Sequence, residues 1–253
     1  MRRPPSLAPL APLASLIFLT ACLPASVPTA ALASAPSCRP EPDRALVYRL
    51  QLTAPATFCA SSAAPPGDPA CATFPKKSAL QLHGLWPSYQ HGFGPQGRCD
   101  DLTCPTPLPG QGFCAFPAPA GLYASPTWRA LKDLMAGTEK CLERHEWVVH
   151  GTCSGLPADR YFDLALTATQ GLVDRLALPV DTPISRVQFN QWSRQRLPDY
   201  DGALHLTCDG PSLLSLRVML AWTPAGPGAA LPDKGGNLFG NCGESFTLPS
   251  SPP

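Results

Sequence analysis

Residues 145–153 read HEWVVHGTC, which places two imidazoles, a carboxylate and a thiol within nine positions. The stretch comes close to HExxH, the pattern in which two histidines four residues apart on one helical face share a zinc ion. Here the second histidine is His150, five residues after His145, and Val149 takes the fourth place. On an α-helix, steps of about 100° put those two imidazoles roughly 140° apart, too far round for one metal. Glu146 and His150, at i and i+4, share a face instead. The spacing therefore predicts acid–base chemistry that needs neither metal nor cofactor, with His145 on an adjacent face. Such a site needs a partner elsewhere in the chain.

Around this stretch the chain of 253 residues carries 11 cysteines, 33 prolines and a formal net charge of +1. Residues 1–35 are set aside as a signal region. Arg2 and Arg3 precede an apolar run, LASLIFLTA, too short to span a bilayer, and small residues follow. Leu19-Thr20-Ala21-Cys22 has the form of a lipobox, which would put a lipid anchor on Cys22, and Ala33-Ser34-Ala35 fits ordinary cleavage. Either exit leaves ten cysteines available for pairing, an even set that implies disulfides in an oxidising compartment. The expected locations are therefore the periplasm, a lipid-anchored outer-membrane form or the medium. Without its leader the chain is close to neutral, which excludes a globally basic nucleic-acid binder and confines any such partner to a local site. Residues 36–253 are expected to form one catalytic domain.

The pattern of that domain is strands, then helices, then strands. ALVYRLQL (45–52) alternates as a strand, and SALQLHGLWP (78–87) reads as a second strand ending in a Gly-Leu-Trp-Pro turn. TWRALKDLM (127–135) has helical spacing with Thr127 as cap, CLERHEWVVHG predicts a second helix stopped by Gly151, and residues 160–178 a third. ALHLTC (203–208) and SLRVMLAW (215–222) close the chain as strands. That order predicts an α+β fold with a mostly antiparallel sheet. Cys153 is expected to pin the catalytic helix to a cysteine in the 99–114 loop, and Cys208 to pair with Cys242.

Among the five histidines, the candidate partner for HEWVVHGTC is His83, in HGLWP (83–87). Taken together, in this order and separation, the two segments resemble the active-site segments of the ribonuclease T2 family of acid endoribonucleases. Phe58-Cys59, Tyr161-Phe162 and the terminal strand region with Cys208 and Cys242 extend the likeness over roughly residues 45–242. The resemblance implies cleavage of single-stranded RNA, with His83 and His150 as the acid–base pair, Glu146 and His145 orienting the phosphate, and Trp86 packing the turn and stacking on a base. The chemistry asks for these groups independently. Metal-free RNA cleavage uses the 2′-OH as nucleophile, so one group removes its proton and another protonates the leaving 5′ oxygen. Two imidazoles can hold both states at mildly acidic pH. A 2′,3′-cyclic phosphate forms first, and DNA, without the 2′-OH, is not cut. The enzyme is expected to be a monomer.

Two positions depart from the family. Lysine usually precedes the final histidine of the second segment, and here Val149 stands there; Arg144 is the candidate replacement. Ser88 occupies a place where some members read the base with an acidic residue. Val149 also motivates the alternative, a catalytically weakened protein that keeps the fold and binds RNA or another partner. Of the remaining histidines, His91, with Tyr89 and Phe93, is a candidate for a base pocket, and His205 reads as an ordinary strand residue.

Overall fold

A computed structural model describes residues 46–89, 112–233 and 238–252. All of them fall within one compact unit, residues 36–253. Residues 1–35, read above as a signal region with a lipobox, lie outside the described residues together with His91 and Phe93, as do the side chains of Ser88 and Tyr89.

The alternation of the first strand is what builds the sheet. In β1 (Leu46–Thr53) Tyr48, Leu50 and Leu52 are fully buried, while Arg49 and Gln51 are half-buried on the other face. A short helix, α1 (Pro55–Ala60), follows, and then β2 (Gln81–Tyr89). Next come α2 (Pro126–Leu134), α3 (Leu142–His145), a π-helical turn (Glu146–His150), a 3-10 turn (Gly151–Ser154) and the long α4 (Ala158–Leu176). The chain finishes with β3 (Ile184–Ser185), α5 (Arg186–Arg196), β4 (Leu204–Asp209), β5 (Ser212–Thr223), β6 (Gly226–Ala230) and β7 (Ser245–Phe246). The main sheet runs β2-β1-β5-β4, with β6 on β5, and its pairings are antiparallel. The α+β expectation holds.

Tyr161, Phe162, Leu166, Leu172 and Leu176 of α4 join the inward residues of β1, β4 and β5 in one core. The Tyr161 hydroxyl, deep in that core, donates to the Leu85 carbonyl at 2.6 Å and ties the helix to β2. Three disulfides are described: Cys59–Cys71, Cys114–Cys141 and Cys208–Cys242, the last as expected. Cys153 is disulfide-bonded as well, to a cysteine other than these six; Cys114, within the expected 99–114 loop, is taken by Cys141. No helix among the described residues is long and apolar enough to cross a membrane.

Three local expectations are corrected. β2 does not stop before Gly-Leu-Trp-Pro but runs through it to Tyr89, because these residues pair with β1 as far as Leu46. Ser125, not Thr127, caps α2: its side chain accepts from the Trp128 amide, and Pro126 sits in the first turn where a missing N–H costs nothing. The segment around HEWVVHGTC is not a single α-helix but passes from α to π to 3-10 within thirteen residues.

Candidate active site

His83 owes its position to a β-bulge. Gln51 pairs with Gly84 and Leu52 with Leu82, so His83 is the surplus residue between two regular stretches of ladder. A bulge of this kind re-aims one side chain without losing the register on either side. Leu82 and Leu85 both remain buried. The His83 Nδ1 lies 3.0 Å from the Thr53 hydroxyl, which fixes the ring.

The π-turn does the corresponding work for the helix. Its i→i+5 bonding turns through fewer degrees per residue than an α-helix, so five residues come nearly full circle. His145 and His150, expected on divergent faces, are therefore neighbours, with ring centroids 5.6 Å apart. One ligand atom from each of His145, Glu146 and His150 lies within 4.8 Å of the others, so the spacing argument against a shared metal does not hold here. Burial pushes the Glu146 carboxyl up to about 8, against the opposing pull of the Trp86 hydrogen bond and Arg49. In that protonated form the carboxyl is a hydrogen-bond donor.

The two halves meet at Trp86 and Glu146. The indole Nε1–H donates to Glu146 Oε2 at 2.5 Å, and the His83 Nε2 stands 3.6 Å from Oε1. That second oxygen is buried and has no hydrogen-bond partner. Gly84 makes this joint possible: a Cβ there would lie 2.1 Å from both Glu146 Oε2 and Trp86 Nε1. The indole stacks on His150, centroids 5.0 Å apart and planes 28° from parallel, and stands edge-on to His83 at 5.5 Å. Trp86 is only 7% exposed in this structure, so most of its indole surface is covered by these neighbours.

Burial first, then the cationic neighbours His145, Arg49 and Lys140, push His83 down to about 4. More than a third of the side chain (36%) still meets solvent, and water at that edge weakens the depression. That edge opens on a cavity of about 380 Å³ whose walls include Thr53, Phe58, Phe113, Lys140 and His145. His145 lies half-buried against Phe113 and Phe116, while His150 is almost fully buried. Trp147 packs against Tyr161, away from the site.

Neither departure at the helix supplies a cation. Val149 is buried with Val148 and Phe116. Arg144, the expected replacement, donates to the carbonyls of Cys114 and Phe116 and to the Tyr123 hydroxyl, so it braces the neighbouring loop. His205 is buried, with Asp233 at 3.6 Å, on the far strand of the sheet. Arg49 went unnoticed in the sequence because it occupies an ordinary outward position of an alternating strand.

An α+β domain that gathers three histidines and a proton-holding carboxyl, with two of the histidines in the wall of an open cavity, has the equipment of an acid–base catalyst. The comparisons narrow that class. The sequence profile of the Ribonuclease T2 family matches residues 46–178, more than half of the chain. Over 202 residues the protein is 28% identical to Ribonuclease I of Escherichia coli (strain K12), across 68% of this chain and 72% of that one. The fold is similar to that of an RNase-related protein from Calystegia sepium (TM-score 0.53, 17% identity, 81% of this chain and 98% of that one). It is also similar to RNase NT in complex with 5′-AMP (TM-score 0.56, 16% identity, 81% and 98%). The chain belongs to the ribonuclease T2 family, a membership that supports endoribonuclease activity.

Proposed function

We propose that the protein cleaves single-stranded RNA by metal-independent transphosphorylation, with His150 taking the 2′-OH proton and His83 protonating the leaving 5′ oxygen. The observation that carries this reading is that a strand imidazole, His83, and a helix imidazole, His150, meet at one carboxyl, 3.6 Å and within 4.8 Å of Glu146 respectively. Charge builds on the phosphorane oxygens as the 2′ oxygen attacks, and preorganised donors aimed there lower the barrier. Glu146 suits that task in its neutral form. Oε2 is occupied by Trp86, and the buried Oε1, 3.6 Å from His83 Nε2 and without a hydrogen-bond partner, would present its proton to a phosphoryl oxygen once substrate displaces the side chains that cover it. An ionised carboxylate there would repel the phosphate. His145 flanks the same space from the cavity wall.

The resulting 2′,3′-cyclic phosphate can be hydrolysed in a second step in which the two histidines exchange roles. Single-stranded RNA is the expected partner because an unpaired base can splay out of its stack and enter the cavity. Export through the leader of residues 1–35 fits the disulfide content. The low proton affinity of His83 predicts faster cleavage on the acid side, since a general acid must be protonated to act.

The test is cleavage of a defined single-stranded RNA in EDTA from pH 4 to 8, with His83→Ala and His150→Ala alongside. Chelator-resistant cutting that leaves cyclic ends, and drops by about 10²–10⁴ in either variant, is expected. Wild-type protein that cuts no faster than both variants would leave the alternative, a fold retained for binding.

A further inference from the structure

A site that must stabilise a phosphorane without a metal gains most from a fixed cation, and the helical segment offers none at Val149. Three cationic side chains of described residues come into question around the histidines. Arg144 is bonded to backbone carbonyls of the neighbouring loop. Lys140 is bound to the buried Asp68 carboxylate at 2.5 Å and lies over Phe58, in the wall of the cavity. The third is Arg49.

Arg49 pairs in register with Trp86 across β1 and β2, so both side chains leave the sheet on one face. Its guanidinium carbon stands 4.3 Å from the centroid of the indole. That same indole donates to Glu146 and stacks on His150. One aromatic ring thus links the guanidinium to both helix-borne groups of the site. A cation over an indole face is attracted by the ring's quadrupole, which holds the ring in place and keeps its N–H aimed at the carboxyl. Burial and the neighbouring Arg217 of β5 push the Arg49 guanidinium down to about 10, Glu146 drawing it the other way. It stays charged across the acid and neutral range.

We propose that Arg49 is a positioning residue of this active site: from the sheet it holds Trp86 against Glu146 and His150 and sets behind them the positive charge that the helix lacks at Val149. The inference rests on the transphosphorylation reading above. It assigns to β1 a role that the two histidine segments do not contain.

The experiment compares wild type, Arg49→Gln, Arg49→Lys and Arg49→Ala in steady-state cleavage of a short single-stranded RNA, with Tm recorded for each. Arg49→Gln should lower kcat by about 10²-fold and change KM by less than about threefold, the signature of an interaction made in the transition state. Arg49→Lys should regain most of that loss. Guanidinium chloride at low millimolar concentration should partly restore Arg49→Ala, where sodium chloride at equal ionic strength does not. If the glutamine and alanine variants fail to fold, the lysine variant is read alone. It keeps the charge and loses the planar stack, so a several-fold drop in kcat is expected and a wild-type kcat overturns the inference. Unchanged kcat in Arg49→Gln, or a loss that neither lysine nor guanidinium repairs, also overturns it. Inactive wild-type protein overturns the ribonuclease reading and this inference together, whereas an active wild type with unaffected Arg49 variants overturns this inference alone.

Discussion

The strand half of the site and the helix half each contain one residue more than a regular element would accept. In the strand the surplus is His83, and hydrogen-bonded ladder continues on both sides of it. In the helix it is spread over a π-turn of five residues, after which the chain tightens into a 3-10 turn and ends on left-handed Gly155. The strand irregularity is thus held by ladder on both sides, whereas the helical one is held by the Cys114–Cys141 bond at its start, the disulfide of Cys153 at its end and packing between them: Val148 and Val149 on Phe116, and Trp147 on Tyr161. The contrast teaches that a side chain can be re-aimed by a single extra residue, held by ladder hydrogen bonds in the strand and by cross-links and packing in the helix.

The most severe way to test that contrast is to remove the helical surplus. Deleting Val149 lets the turn close as an α-helix, with the two histidines at i and i+4, and should cut RNA cleavage by at least about 10³-fold. Retained far-UV circular dichroism would show that the sheet half survives; near-normal activity would mean that the π-turn is dispensable. Gly84→Ala attacks the joint between the halves instead. The new Cβ meets Glu146 Oε2 and Trp86 Nε1, so kcat should fall by about 10²-fold, with an overpacking cost of about 1–3 kcal/mol visible in chemical denaturation.

A subtler comparison uses pH, because the two halves respond with opposite sign. Glu146 is raised in the fold from its ordinary 4.5 to about 8, so the native state keeps a proton that the unfolded chain releases, and stability falls as pH climbs from 4.5 to 8. His83 is lowered from 6.5 to about 4, so its share of stability is present above 6.5 and is lost as pH falls towards 4. The slopes oppose between 4.5 and 6.5, and above 6.5 only that of Glu146 remains. Tm should hold through the first window and decline from pH 6.5 to 8, and Glu146→Gln should flatten the decline. A decline that persists in that variant would place its source elsewhere. The mildest perturbation is Arg144→Gln, which removes a brace without touching the reacting groups. Stability should drop by about 1 kcal/mol, with kcat within about threefold of wild type.

Much of the frame was legible before any coordinates. Alternation found β1, β4 and β5, helical spacing found α2 and α4, and the two histidine segments named the family. What escaped had physical reasons. RVQFNQWSRQR forms α5, yet Phe189 and Ser193 are its only buried residues, too narrow a stripe to stand out. Gly-Pro-Gly at the start of β6 reads as a loop and pairs as an edge strand. The bulge did leave a trace, since Leu82 and Leu85 are both buried although three apart, which breaks the alternation around His83. The π-turn left none: its apolar residues fit an α-helix equally well, and only packing selects the wider winding.

The Cys114–Cys141 bond has a consequence for timing. Cys141 opens the helix that leads into the site, and Cys114 lies next to Phe113, whose ring is 4.8 Å from that of His145. With thiols in place of that bond, the wall behind His145 would be released from the start of the catalytic segment. A newly made chain would then stay a slow nuclease until it reached an oxidant, and the RNA of the cell that built it would be spared. Activity rising in step with disulfide formation during oxidative refolding would reveal such a latch; full activity in the reduced protein would rule it out.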